Sequence, residues 1–450
     1  MPHPARPTFF AGAAVALVAL VASACVGLMS TKPQTATAAA ETAPPTLSEI
    51  YRFSAIAGEP DIRVRIAQDV RVARVAGPER VTLTPPGDDP GVLILRTPVE
   101  VRRSALGWSV TSEGDTRKLD DAGDPASLAG AMLIKPIGDE LITLDDSPLP
   151  GWLALHAPDK RSLFDVVEHV NIEAYLPGVV HKELYSAWKP ETFQAQAIAA
   201  RSYALHERAR RRSLGAHFDV VSTTRDQAYG GATDHATSHD AVRATAGRVL
   251  TWQGSILRAY YSSTVGGRAA SAADTWPVGP GFEFNHATPI QASERGDEDD
   301  ISPRFRWAAE RSVRDVTSRI RAYAKGRSEK LRALTSVRRV EAIERNGFDR
   351  PVRYRITDSA GATADIRAEY LRVALNTDAP GFPKITRETR VYSSDMTFDF
   401  DRDKVTIRGR GFGHGVGMSQ FGAEALARDG WQPEKILLYY YPGARVERAY

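Results

Sequence analysis

Residues 166–212 read VVEHVNIEAYLPGVVHKELYSAWKPETFQAQAIAARSYALHERARRR, and here the chain changes from strand-like to helical patterning. Pro190 suits a first helical position, Glu191 follows in the first turn, and the basic run from Arg208 to Arg212 suits the last. The spacing predicts a helix of about six turns. On it, Gln194, Ile198, Arg201 and Leu205 fall at i, i+4, i+7 and i+11, which places a guanidinium in an apolar stripe. A half-buried arginine needs a partner, and three are open: a structural group, oxygens of a substrate, or Glu183.

Upstream, residues 46–165 alternate apolar and polar positions in short runs such as RVRIA, VRVARV, GVLILRTPVEV and ELITL, broken by Gly, Pro and Asp. They predict antiparallel strands and a β-rich N-terminal region. Downstream, RVLTW and ILRAYYSS return to strand character, and the acidic stretch ERGDEDDISPR reads as a solvated loop. An insert over about 300–375 follows, with WAAERSVRDVTSRIRAYA helical and RRVEAIERN and RPVRYRITD as a paired ribbon. Near the C-terminus, Ser419 is placed to cap a short helix ending at Gly430, and Pro433 to open the next. The fold class expected is α+β, with residues 166–450 forming a mixed body and the groove lying where the long helix, the loop bearing Glu183 and the glycine-rich segment meet.

Residues 1–45 stand apart. An uncharged run from Phe9 to Met29 follows Arg6 and leads into the linker TKPQTATAAAETAPP. This marks an export signal or a membrane anchor, with a lipoprotein-type cleavage before Cys25, an ordinary cleavage after Ala38, or no cleavage all open. Cys25 is the only cysteine, which excludes an internal disulfide and a thiolate zinc cluster. With 58 Lys and Arg against 55 Asp and Glu, the net charge of +3 lacks the basic footprint of a nucleic-acid binder.

Several motifs fail on their spacing. Glycines 409, 411, 413, 415 and 417 alternate strictly, which matches neither nucleotide-loop pattern. Alternating glycine instead strips both faces of an extended segment, so that a backbone, an aromatic ring or a ligand can approach closely. His235 and His239 have the spacing of a zinc-protease helix, but Ala236 stands where its glutamate belongs, and both read as surface histidines. No metal and no cofactor is expected.

Glu183 survives this screen. It lies in His-Lys-Glu-Leu-Tyr-Ser-Ala-Trp, where Leu184, Tyr185 and Trp188 would disfavour its charged form and raise its pKa, as a general acid requires. Trp188, Trp252, Tyr261 and the Tyr439 to Tyr441 run are open to core packing or to stacking on sugar faces.

The segments NIEAYLPGVVHKELYSAWKPETFQAQAIAARSYAL, DQAYGG, AVRATAGRVLTWQGSILRAYYSSTVGG, GRGFGHGVGMSQFGAEALARDG and ILLYYYPG together resemble the stage II sporulation protein D / LytB family over about residues 165–450. The resemblance implies a peptidoglycan lytic transglycosylase acting on glycan strands, or, as in LytB-like members, a modifier of a cell-wall amidase. It places Glu183 at the acid/base position. It assigns Arg201, Ser202 and Tyr203, then Gln227 and Tyr229, then Tyr261, Ser262, Ser263 and Gly267, and finally His414, Ser419 and Gln420 to the substrate groove. Some relatives bind zinc through cysteines just before Gln-x-Tyr, where this chain has Ser222 and Asp226 instead. The implied partners are peptidoglycan, a cell-wall amidase, and a membrane reached through the N-terminal segment or a lipid. The implied place is the cell envelope, anchored or secreted.

Overall fold

The computed structural model describes residues 58–120, 127–138, 140–157 and 162–450. The expected targeting segment lies outside them. Among the described residues no helix is long and apolar enough to cross a membrane.

The alternating runs after residue 58 form two sheets. One has seven strands, in the spatial order 220–221, 61–70, 164–171, 152–156, 132–136, 80–84 and 93–96; the other has six, in the order 147–149, 142–144, 72–76, 99–104, 107–112 and 115–119. Along Val99–Ser104 the side chains of Val99, Val101 and Arg103 turn inward while their neighbours are more exposed, as period-two patterning requires. Both sheets share one core, in which the Trp108 ring packs on Phe164 with centroids 5.1 Å apart. Burying each such side chain is worth about 2–3 kcal/mol.

Strand Phe164–Asn171 crosses the expected boundary at 165/166 and runs directly into helix Ile172–Glu183. Strand Asp61–Val70 pairs antiparallel with it and parallel with Val220–Val221, so the β-rich region and the body share a sheet. The core continues into Tyr175, Leu176, Phe193 and Ala197.

The predicted helix is present over Pro190–Ser213, with Pro190 at its start and Arg210, Arg211 and Arg212 in its last turn. It is buried on every side from Thr192 to Glu207 except at Gln194, so it is a central helix rather than an amphipathic surface one. Its alanines at 195, 197, 199, 200 and 204 let neighbours approach on all faces. A second core gathers Ile198, Tyr203, Leu250, Met418 and Leu437. There Tyr440 and Tyr441 are core residues.

Strand Arg306–Ser312 pairs with Lys404–Arg410, which pairs in turn with Asp395–Asp401, and the elements between them enclose a third core around Val316, Tyr354 and Leu371. WAAERS is therefore strand, and only Val313–Ala324 is helix, capped by the Ser312 side chain. The expected ribbon is present: Val337–Arg345 pairs antiparallel with Pro351–Asp358. Ser419 caps helix Gln420–Arg428 by accepting from the Gly422 N–H, and Pro433 opens Pro433–Tyr440. The molecule is α+β, as expected.

Candidate functional site

Glu183 is not in a loop. It is the last residue of helix Ile172–Glu183, which holds Pro177 in its second turn and breaks at Leu184, where the backbone turns extended. A proline inside a 12-residue helix removes one backbone donor, and this is why the segment does not read as helical from its sequence. The break presents the Glu183 side chain to a cleft of about 1410 Å³.

Two donors hold the carboxylate. Its Oε1 accepts from the Ala228 N–H at 3.0 Å and its Oε2 from Gln420 Nε2 at 3.1 Å. Burial raises its pKa above the ordinary carboxylate value, and the bonds from Gln420 and Ala228 oppose that rise only in part. Among the described residues no lysine, arginine or histidine forms an ion pair with it. Leu184, Trp188 and Phe421 line the cleft beside it, with Trp188 packed edge-on against Phe421 at 4.9 Å.

Backbone pairing explains why distant segments meet here. Tyr261–Ser262 lies parallel to Met418–Ser419, with Tyr261 opposite Met418 and Ser262 opposite Ser419, so Tyr-Ser-Ser and Met-Ser-Gln arrive side by side. The glycine-rich segment reaches this point through close approaches. A Cβ on Gly409 would lie 2.2 Å from the Trp307 ring, and one on Gly417, at φ +71°, would lie 2.0 Å from the Tyr260 carbonyl oxygen. The close neighbours are thus an aromatic ring and a backbone, two of the three possibilities left open by the alternating pattern.

Of the residues assigned to the groove, Tyr203, Tyr261, Ser262, Ser263, His414 and Gln420 line the cleft with Glu183. Tyr203 Oη donates to Asp226 Oδ1 at 3.1 Å and accepts from Arg258 Nη2 at 2.9 Å. His414 packs against Trp276 at 4.9 Å and accepts from the Val416 N–H at 3.1 Å; burial holds its pKa at about 4, so its imidazole is neutral. Asp226 is a second carboxylate lining the cleft; burial and the nearby Glu207 charge push its pKa up.

The others do not line it. Arg201 is fully buried and grips Glu173 with Nε at 2.9 Å and Nη2 at 2.8 Å, and it donates to the Arg248 carbonyl at 3.1 Å. Its partner is structural, not Glu183. Ser202 Oγ donates to the Ile198 carbonyl at 2.6 Å and accepts from the Leu250 N–H at 2.8 Å. Gln227 sits behind the cleft, where its Nε2 donates to Tyr261 Oη at 3.0 Å and to the Ala200 carbonyl at 3.1 Å, while its Oε1 accepts from Tyr175 at 3.2 Å. Tyr229 packs on Tyr175 at 4.7 Å, and Gly267 is a turn residue at φ +76° beside Asp297. His235 is half-buried, not on the surface: it stacks on Phe193 at 5.4 Å and its ring nitrogen caps the helix from Ala236. His239 is exposed.

Ser419 points to a residue that sequence reading missed. Asp299, in the stretch read as solvated, is buried and its Oδ2 accepts from Ser419 Oγ at 3.0 Å, from the N–H groups of Val265 and Gly266 at 2.6 and 3.0 Å, and from the Thr264 hydroxyl. One carboxylate oxygen thereby ties the Tyr-Ser-Ser segment to Met-Ser-Gln. No spacing in the acidic run distinguishes Asp299 from its neighbours.

Residues 160–252 match a family model described as Stage II sporulation protein, and residues 285–417 match one described as a domain of unknown function, DUF8618. Similar proteins include the stage II sporulation protein D of Bacillus subtilis (strain 168), 26% identical over 335 residues that cover 71% of this chain and 85% of that one. Its counterpart in Bacillus amyloliquefaciens is 26% identical over 321 residues, 68% of this chain and 81% of that one. The amidase enhancer of Bacillus subtilis (strain 168) is 26% identical over 297 residues, 60% of this chain but only 40% of that protein's length. The first family match includes Glu183 and ends before Tyr261, His414 and Gln420, which come to the cleft from later in the chain. The resemblance seen in the sequence segments is borne out: residues 160–252 match the model of the stage II sporulation protein family.

Proposed function

We propose that the cleft binds peptidoglycan glycan strands and that the protein is a lytic transglycosylase, with Glu183 as general acid and then base. In its protonated form Glu183 gives its hydrogen to the oxygen bridging N-acetylmuramic acid and N-acetylglucosamine, and the C1–O bond breaks through an oxocarbenium-like state. The resulting carboxylate takes the proton from the muramyl C6 hydroxyl, whose oxygen closes onto C1. The product is a 1,6-anhydro end, and no water is consumed. A single carboxylate suffices because the attacking oxygen belongs to the substrate.

The observation that carries this reading is Glu183 itself: a carboxyl on the cleft wall, raised in pKa by burial and lacking an ion-pair partner among the described residues. Its two donors fix its orientation while leaving a lone pair on each oxygen for a proton. Tyr261 supports the same chemistry. Because Gln227 donates to its oxygen, the phenol's own hydrogen remains for a sugar oxygen in the cleft. The N-terminal segment takes the protein to the envelope, where a cell-wall amidase is its proposed working partner.

The relative named amidase enhancer favours a second reading, in which the cleft holds glycan without cleaving it and the protein modifies an amidase. Replacing Glu183 with Gln separates the two. Loss of glycan solubilisation by about 10²–10⁴-fold supports the enzyme; equal digestion by both proteins sinks it, and amidase stimulation that survives the substitution without any cleavage supports the modifier.

A further inference from the structure

The segment between strands Arg306–Ser312 and Lys404–Arg410 supplies a wall of the same cleft, and that wall is cationic: Arg327, Arg353, Arg367, Arg372 and Arg390 line it, against Asp365 and Glu369. Asp365 is already held by Arg355, at 2.8 and 2.9 Å. Arg353 pairs with Glu344 at 3.2 Å, and Arg367 donates to the Trp276 carbonyl at 2.7 Å, so both have structural work.

Arg372 is different. Glu369, one turn earlier on helix Ala368–Asn376, takes its Nε at 3.0 and 3.1 Å and also its Nη2. The carboxylate is nearly inaccessible, at 4% exposure, whereas the guanidinium side chain keeps 17%. Nη1 makes no hydrogen bond among the described residues. One edge of the guanidinium is therefore fixed by the protein and the other left toward the cleft, the arrangement in which an arginine receives a planar anion with little loss of side-chain freedom. Arg390 lines the same wall of the cleft as Arg372 and adds a second positive charge to it. The charges of Glu369 and Arg372 also act on the His414 imidazole, which puts the pair next to the glycine-rich end of the site.

We propose that Arg372, with Arg390 beside it, forms an anion subsite of the cleft that takes a carboxylate carried by the glycan strand. This rests on the glycan reading above. Two sources offer that chemistry: the lactyl carboxylate of a peptide-free muramyl residue, and the carboxylates of an attached stem peptide.

The test uses the full chain carrying Glu183→Gln, so that glycan is held without turnover, and measures affinity for peptide-free and for peptide-bearing glycan oligomers, each native and methyl-esterified. Esterification should weaken binding at least tenfold for the oligomer that carries the recognised carboxylate, and adding Arg372→Gln or Arg390→Gln should bring its native and esterified affinities together. Because Arg372→Gln strips Glu369 of its partner, the companion variant Glu369→Gln/Arg372→Gln, which removes both charges, should behave in the same way. Tighter binding of peptide-free than of peptide-bearing oligomers assigns the lactyl group; the reverse assigns the peptide. Equal affinity for native and esterified oligomers, or a tenfold difference that survives the arginine substitutions, overturns the subsite while leaving the glycan reading intact. Binding of none of the oligomers overturns both.

Discussion

Arg201 and Glu183 show how burial divides charged residues into two kinds. Arg201 lies inside the central helix bundle with a carboxylate already clamped to it, and Glu173, with 18% of its side chain exposed, would lose its cationic partner and keep only the Gly247 N–H and the Tyr450 hydroxyl if the guanidinium were removed. Arg201→Met should therefore cost about 3 kcal/mol of stability, read from the denaturant midpoint. The folded fraction should keep its KM for glycan. A raised KM at unchanged stability would return Arg201 to the groove. Glu183 has the opposite energetics. Its folded pKa lies above its unfolded one, so its contribution to stability is present at low pH and is lost as pH rises through the folded pKa. Glu183→Gln should thus raise Tm relative to the parent above that pKa, with the gap closing in acid; a gap that is independent of pH would contradict a raised pKa. Residue identity and spacing singled out Glu183, but they cannot separate Arg201 from a groove residue. An i, i+4, i+7 stripe describes one face of a helix, and this helix is buried on all of them.

At the scale of elements, the cleft depends on segments that meet backbone to backbone. The glycine-rich segment passes the Tyr260 carbonyl so closely that Gly417→Ala requires both a strained φ and a 2.0 Å contact to be relieved. The cost expected is about 4 kcal/mol or more, seen as loss of cooperative folding or a large fall in Tm. Gly430→Ala is a control at positive φ with no neighbour within 4 Å of the added carbon, and should cost only the conformational strain, about 1 kcal/mol. Equal effects would mean that the close approach is not what requires glycine. This role was legible in the alternation itself. Helix Ile172–Glu183 was not, because Pro177 and a strand-like lead-in mask it, and neither was the anchoring of Asp299, because its four donors come from segments more than thirty residues away.

At the scale of the whole molecule, the strand patterning, the long helix and the α+β class follow from period and punctuation in the chain. The cleft wall supplied by residues 306–410 does not, since its arginines acquire a common direction only when the third core folds. The interior also fixes how the protein meets acid. Burial holds His156 at about 3 and His169 and His206 at about 4, against 6.5 unfolded. The unfolded chain therefore binds protons that the folded one refuses, and stability falls as pH drops from about 6.5 toward 4, by up to about 1.4 kcal/mol per pH unit for each histidine. Glu168, pushed up to about 7 by burial, works the other way and softens the slope. Tm should fall steeply between pH 6.5 and 4.5; a flat profile would mean that these histidines accept protons in the folded state.

The central claim is that one carboxyl group cleaves the glycan by handing a proton out and taking one back, with the substrate supplying the nucleophile. Digesting peptide-free glycan in ¹⁸O-labelled water and weighing the new ends tests it directly. The account predicts unlabelled ends one water lighter than a reducing sugar, produced by the parent protein and absent with Glu183→Gln. Ends carrying ¹⁸O, or unlabelled ends produced equally well by the Gln variant, would contradict it.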